Sequence, residues 1–165
     1  MAKNLIKAIL GIFLLFSVSS CNNDDGGGNI TVTPFTLTID GQQYLPTSIP
    51  SAQLSNSGRF MIISAVNTVT DQNITISIGD STGNSSELTT ASYPIDNTDD
   101  TSIAYFVNNS TYMTDGSGQV TITTLNTSAR TVSGTFQGTV TGTFGTVGTF
   151  TLANGEFMDI PYSVQ

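Results

Sequence analysis

Apolar residues and hydroxyl residues alternate one by one along several short segments of the chain. In "FTLTI", residues 35–39, Phe, Leu and Ile are separated by Thr, and the same period of two recurs at 74–78 and 120–123. Successive side chains of a β-strand point to opposite faces, so this pattern is typical of strands with one buried and one wetted face. No stretch after Cys21 combines a helical period with capping residues. We therefore expect an all-β domain.

Turn signals and further apolar segments complete the predicted fold. Asp40-Gly41 favours a two-residue hairpin turn, because both positions of such a turn need positive φ. Asn154-Gly155 is either a second turn or a glycine bulge within a longer final strand. Further strands are expected at 59–66, 102–107 and 130–141. The sequence predicts an antiparallel β-sandwich of about eight strands.

A glycine-rich segment, "GTFQGTVTGTFGTVGTF", spans residues 134–150. Its first repeats are four residues apart, which puts Phe136, Val140 and Phe144 on one face of a strand. Its later repeats are three residues apart, and an odd step reverses the facing of the side chains. We expect a turn or bulge at 145–148 that divides the segment into two strands. A phosphate-binding loop is excluded because no helix start follows.

The N-terminus has the three-part layout of a secretory signal peptide, residues 1–20, with two lysines, the apolar run 8–16 and then small residues. Val18-Ser19-Ser20-Cys21 resembles the lipobox of bacterial lipoproteins, in which the cysteine receives diacylglycerol and further acyl chains such as palmitate. Cys21 is the single cysteine of the chain, so it has no disulfide partner within it. The alternatives are an ordinary secretory signal with an accidental cysteine, or a buried free thiol.

Residues 21–29 then form a lipidated cysteine and a flexible linker, since "NNDDGGGN" offers no apolar residue to bury. The sequence predicts one β domain over 30–165. Asp24-Asp25 resembles the acidic signal that sends many lipoproteins of Bacteroidota to the outer face of the outer membrane. The expected location is the outer membrane, with the domain either at the cell surface or facing the periplasm.

Removal of the signal peptide makes the chain strongly acidic. Lys3 and Lys7 are lost with it, which leaves Arg59 and Arg130 against all 12 acidic residues, a formal side-chain charge of −10. Such a chain repels phosphate backbones, so nucleic acid is excluded as a partner that binds through a basic surface.

Four segments of the domain resemble a functionally uncharacterised family of small β-sandwich lipoproteins of Bacteroidota. They are "TIDGQQYLPTS" near the start of the domain, "DGSGQVTITTL" at 115–125, "RTVSGTF" at 130–136 and "TLANGEFMDIPY" at 151–162. These motifs consist of strand and turn residues. The resemblance implies a fold and a location but carries no catalytic residue.

The chemistry of the mature chain argues against an enzyme. The chain has no histidine, and no lysine or further cysteine follows Cys21, which removes the usual general bases, amines and thiol nucleophiles. Paired carboxylates, as in a glycoside hydrolase, are the remaining alternative, with candidates at Asp96, Asp99, Asp100 and Asp115. We expect a binding or structural accessory that needs no cofactor.

Three further sets of residues are candidate sites. Asp96, Asp99 and Asp100 in "DNTDD" offer the hard oxygen ligands that calcium prefers, although residues of this kind are more often turn formers. Tyr93, Tyr105 and Tyr112 flank polar loops and are candidates for an aromatic face that binds a glycan or a peptide, or for core residues. Asp80-Ser81-Thr82 resembles the short O-glycosylation motif of Bacteroidota, with Ser81 as the acceptor.

Overall fold

The computed structural model describes residues 33–83, 85–96 and 100–165, and within these ranges the chain forms ten β-strands and no α-helix. The all-β prediction is confirmed. The strands are β1 (Phe35–Ile39), β2 (Gln42–Tyr44), β3 (Ser51–Ser55), β4 (Phe60–Asn67), β5 (Gln72–Gly79), β6 (Ser92–Pro94), β7 (Ser102–Val107), β8 (Ser110–Asn126), β9 (Thr131–Gly142) and β10 (Thr149–Val164). A short 3₁₀ turn, Asn56–Gly58, precedes β4. The predicted signal peptide and the linker with Cys21 lie outside the described residues.

The sheet closes on itself instead of forming the expected sandwich of two separate sheets. Strand pairing runs from β10 through β3, β4, β5, β7, β8 and β9 and back to β10, which makes a closed barrel of seven strands. Every pair in this ring is antiparallel except β10 with β3, which pair in parallel through Tyr162–Val164. The physical reason is the length of β10, which bonds to β9 along one edge and reaches β3 along the other. Closure leaves no unpaired edge within the ring.

Three short strands lie beside the ring and complete its wall. β1 pairs with residues 152–157 of β10, on the same edge of β10 that pairs with β3 at residues 162–164. β2 pairs with β1. β6 pairs with residues 119–121 of β8. It lies on the same edge of β8 as β7, whose residues 104–107 pair with residues 110–113 of β8. The barrel is therefore closed by long strands that change partner along their length.

The alternating residues point into the barrel as the sequence predicts. Ile74, Ile76 and Ile78 of β5 are fully buried, and Phe35 and Leu37 of β1 are almost so. The hydroxyl residues between them are half-buried on the outer face. The core thus forms from one face of each strand, and it fills the barrel interior.

The predicted turns are present, with one difference in the glycine-rich segment. Asp40 and Gly41 have φ of 48° and 79°, which confirms the two-residue hairpin. Asn154-Gly155 is the bulge and not the turn, because it lies within β10 where the register shifts. A loop at 143–148 separates β9 from β10, as expected, but it begins early enough to place Phe144 in the loop and not in the strand.

Candidate functional site

The barrel interior is packed with apolar side chains, so a ligand must bind at an end of the barrel or on its outside. Ile63, Ile76 and Ile103 each have an exposed fraction of 0%. Protein cores of this kind hold few voids larger than a water molecule. Clefts at the barrel ends are therefore the natural places to look for a site.

One end of the barrel, which we call the mouth, is formed by five connections. They are the turns at 40–41, 68–71 and 108–109 and the loops at 45–50 and 143–148. The loop at 45–50 is held against the end of β4 by a hydrogen bond from the amide N of Thr47 to Val66 O, 2.9 Å long. The strand register fixes these connections at the same end.

A cleft of about 260 Å³ opens at the mouth. Its walls combine Tyr44, Tyr105 and Phe150 with the carboxylate of Asp40 and the amides of Gln42, Gln43 and Gln72. These groups come from one turn and four strands, which bring residues 40–44 together with residues 72, 105 and 150. Aromatic faces beside amide and carboxylate groups suit a ligand with both apolar C–H surfaces and hydroxyl groups.

Tyr105, Tyr112 and Phe150 form one aromatic cluster, of which Tyr105 and Phe150 line the cleft. Tyr105 and Tyr112 are paired across the β7–β8 hairpin, with ring centroids 6.1 Å apart. Phe150 meets both rings edge-on, at centroid distances of 5.2 Å from Tyr105 and 4.7 Å from Tyr112. The structure therefore brings two of the three candidate tyrosines together. Sequence reasoning missed Phe150, because the segment around it gave only a folding signal.

Tyr93 lies elsewhere, on β6 at the opposite half of β8. Its hydroxyl accepts a hydrogen bond from Thr89 N and donates one to Thr89 O, each 2.9 Å long. These bonds fix the 88–92 segment against β6. A single face made of all three tyrosines is not present.

Burial raises the pKa of two phenols at the mouth. Burial raises the pKa of Tyr105, with smaller contributions from Tyr112 and from the carboxylate of Asp40. Burial also raises the pKa of Tyr44, whose hydroxyl donates to Ala65 O at 2.7 Å. Asp40 is positioned by the turn, since its Oδ1 accepts a hydrogen bond from Thr151 N at 2.8 Å. The cleft therefore presents aromatic rings and glutamine amides beside the side chain of Asp40.

Large apolar side chains project into solvent around the mouth. Ile49, Val69, Phe144 and Val147 have exposed fractions of 83%, 82%, 97% and 88%. All four belong to mouth loops or turns. Exposed apolar residues that collect at one end of a domain are typical of an interaction surface.

The candidate calcium ligands are only partly described. Asp100 Oδ2 accepts hydrogen bonds from the amide N of Ser81, at 2.9 Å, and from Ser81 Oγ. Asp99 lies outside the described residues, and Asp96 is exposed just before the gap that contains Asp99. Within 33–83, 85–96 and 100–165, no three His, Cys, Asp or Glu side chains are grouped so as to hold a metal ion. Asp100 and Ser81 are thus joined as a loop contact.

The candidate glycosylation residue Ser81 lies on an exposed turn at the end of the barrel opposite the mouth. Asp80 shapes this turn by accepting hydrogen bonds from Thr82 N at 2.7 Å and Ser85 N at 3.0 Å.

Cys21 lies outside the described residues. The part of the chain that the structure describes contains no helix with the length and apolarity needed to span a membrane.

Comparison with known proteins gives one match. The model of a family described as "Domain of unknown function (DUF6252)" matches residues 32–161. No curated protein and no solved structure matches the chain. The matched range covers every described strand except the last residues of β10.

Proposed function

The chain belongs to the DUF6252 family of domains of unknown function, and on that premise we propose that it is a lipid-anchored protein of the cell envelope whose barrel binds a neutral, hydroxyl-rich ligand such as a glycan. Its role is that of a binding accessory that catalyses no reaction. The observation that carries the proposal is the mouth cleft, in which Tyr105, Phe150, Asp40 and three glutamines face one space.

The charge of the mouth favours a neutral ligand. Arg59 and Arg130, the arginines of the chain, both lie at the opposite end of the barrel, before β4 and before β9. The mouth carries Asp40 and Asp71. A phosphate, a sulfate or an acidic glycan would meet these two carboxylates, and among residues 33–83, 85–96 and 100–165 no Lys or Arg lies at the mouth to balance it.

The proposed anchor is the thiol of Cys21, which becomes the acylated first residue of the mature protein. The chain enters the barrel beside β10, where Pro34 O accepts a hydrogen bond from Met158 N at 2.8 Å. β10 begins at the mouth with Thr149, and Met158 lies nine residues further along the strand, away from the mouth. Pro34 therefore lies away from the mouth.

The proposed location is the outer membrane, with the domain at the cell surface; the alternative is a domain that faces the periplasm. Asp24-Asp25 and the charge of the mature chain support the outward orientation. Protease added to intact cells then cuts at the glycine-rich linker and releases the domain. Protection of the protein until the outer membrane is permeabilised would establish the periplasmic orientation.

The absence of catalysis is part of the proposal. Hydrolysis of a glycoside by the usual mechanism needs two carboxyl groups about 5 to 9.5 Å apart across the bond that is cut. Among the described residues, Asp40 is the one carboxylate that lines the mouth cleft. Incubation of the protein with any oligosaccharide that it binds should therefore leave the oligosaccharide intact.

Saturation-transfer NMR with the full chain and a panel of neutral oligosaccharides tests the binding proposal. Gln42 and Gln43 are exposed, so replacing each with Ala should preserve the fold and weaken binding at the mouth. Gln137→Ala, an exposed glutamine on the outer face of β9, is the matched control. The glycan proposal fails if no oligosaccharide of the panel binds, or if the control weakens binding as much as the mouth variants.

A further inference from the structure

A second cleft lies at the mouth end on the outer surface of the barrel, between the β4–β5 and β7–β8 hairpins. Its volume is about 520 Å³, about twice that of the mouth cleft. Its walls include Val66, Asp71, Asn73 and Phe106. A cleft of this size falls within the range of about 300 to 1,000 Å³ that is usual for small-ligand sites.

An unmet hydrogen bond marks this cleft. The side-chain oxygen Asn73 Oδ1 is buried and finds no donor among the residues that the structure describes. Buried polar atoms in proteins are almost always hydrogen-bonded, so an exception calls for an explanation. Asn73 lines the cleft, and a half-turn about its terminal side-chain bond would exchange the buried Oδ1 with Nδ2, which is not among the buried unpaired atoms. A ligand hydroxyl in the cleft would supply the missing donor.

An aromatic ring stands next to this amide. Phe106 is paired with Asn73 on one side and with Thr111 on the other, and all three side chains are on the outer face. The ring is 37% exposed, although β7 is a central strand of the barrel. A sugar ring can pack its C–H face on a phenyl ring while a hydroxyl group donates to a neighbouring amide.

The two clefts are adjacent. Gln72 lines both of them, since it begins β5 at the point where the inner surface of the mouth meets the outer surface. A linear ligand that lies in the mouth cleft can therefore pass Gln72 and continue into the second cleft, between the β4–β5 and β7–β8 hairpins.

We propose that the cleft between the two hairpins is a second subsite for a sugar ring, with Asn73 as the hydrogen-bond acceptor and Phe106 as the packing surface, so that the ligand is a linear oligosaccharide. This inference rests on the proposed function. It specifies that the ligand has more than one sugar unit, and it names the residues that contact the second unit.

The test compares a monosaccharide with its trisaccharide on the full chain, using glucose with cellotriose and maltotriose, and N-acetylglucosamine with chitotriose. The variants are Asn73→Leu and Phe106→Leu, and Thr75→Val, at the next outward position of β5, is the matched control. We expect both cleft variants to weaken trisaccharide binding about fivefold to tenfold and to leave monosaccharide binding unchanged. Asn73→Leu should also keep or raise Tm, since it removes an unsatisfied buried acceptor.

The outcomes separate this inference from the proposed function. Trisaccharide binding that is equal in the wild type and in both cleft variants, with binding at the mouth intact, overturns the second subsite and leaves the proposed function standing. If no sugar binds to the wild type, both fail. If Asn73→Leu does not fold, Phe106→Leu decides the question, because its ring is partly exposed and its replacement stays apolar.

Discussion

Gly134 of β9 lies directly opposite Phe157 of β10, and a Cβ atom on Gly134 would lie 2.4 Å from Phe157 Cζ. Gly155 of β10 has the same relation to Phe136 of β9, with a ring carbon at 2.7 Å. Each phenyl ring thus covers the glycine opposite it. These two pairs allow β9 and β10 to curve tightly around large core side chains, which closure of a small barrel requires.

Gly134→Ala should therefore destabilise the fold. The new methyl group would meet Phe157 and also Thr121 O at 2.2 Å, and the backbone oxygen cannot rotate away. We expect a loss of about 3 kcal/mol in the free energy of unfolding, the upper part of the range for overpacked cores. Urea unfolding measures it. Thr135→Val, at the exposed neighbouring position, should change stability by less than about 0.5 kcal/mol. Equal stability of Gly134→Ala and the wild type would contradict the packing described above.

The alternation of residues predicted the strands and their buried faces because this signal is local. "FTLTI" and Ile74, Ile76 and Ile78 form half-buried strands as expected. Closure of the sheet depends instead on pairing between distant segments, above all Val164 with Leu54. No local pattern of residues encodes such a pairing, so a sandwich and a barrel look alike in the sequence.

The candidate site likewise combines neighbours that the sequence can indicate with contacts between distant segments that it cannot. Tyr105 and Tyr112 are neighbours because they belong to one hairpin, which a sequence can indicate. Asp40 joins them only because its turn is bonded to Thr151, 111 residues away. Tyr93 lies apart because β6 pairs with the other half of β8. The sequence therefore predicts only part of the set of side chains that meet at the mouth.

Stability should fall at alkaline pH through the buried phenols. Burial raises the pKa values of Tyr44 and Tyr105 above the ordinary value of 10.0. The unfolded chain therefore loses these protons first, so their contribution is fully present below about pH 10 and declines as the pH rises further. Tyr44→Phe should make this decline less steep, while losing about 1 kcal/mol at neutral pH with its hydrogen bond to Ala65. Urea unfolding at a series of pH values compares the two slopes, and identical slopes would contradict the prediction.

Asp100 is expected to stabilise its loop through Ser81 and without calcium. Asp100→Asn weakens the bonds that Oδ2 accepts from Ser81 N and Oγ, so we expect a loss of about 1 kcal/mol in stability. The loss should be the same in millimolar calcium and in chelator, as thermal unfolding can determine. A calcium-dependent rise in Tm that disappears in Asp100→Asn would instead establish the metal site predicted at Asp96, Asp99 and Asp100.

Cys21→Ala should abolish lipid attachment. The thiol is the proposed acylation nucleophile, and the chain has no other cysteine. Labelled palmitate should enter the wild type and not the variant, and the variant should accumulate as an unprocessed precursor or leave the membrane fraction. Ser20→Ala keeps a small residue before Cys21 and serves as the control. Equal label in Cys21→Ala and the wild type would refute the lipoprotein proposal.

Phe144→Asn should separate stability from binding at the mouth. Phe144 is 97% exposed and has φ of 54°, a conformation that a phenylalanine adopts at a cost and that asparagine tolerates. We therefore expect the variant to gain about 0.5 to 1 kcal/mol in stability. Loss of the apolar tip should at the same time weaken binding of any oligosaccharide found by saturation-transfer NMR. Phe144→Leu, which keeps both the apolar surface and the backbone cost, should bind like the wild type. Undiminished binding by Phe144→Asn would show that the exposed ring does not contact the ligand.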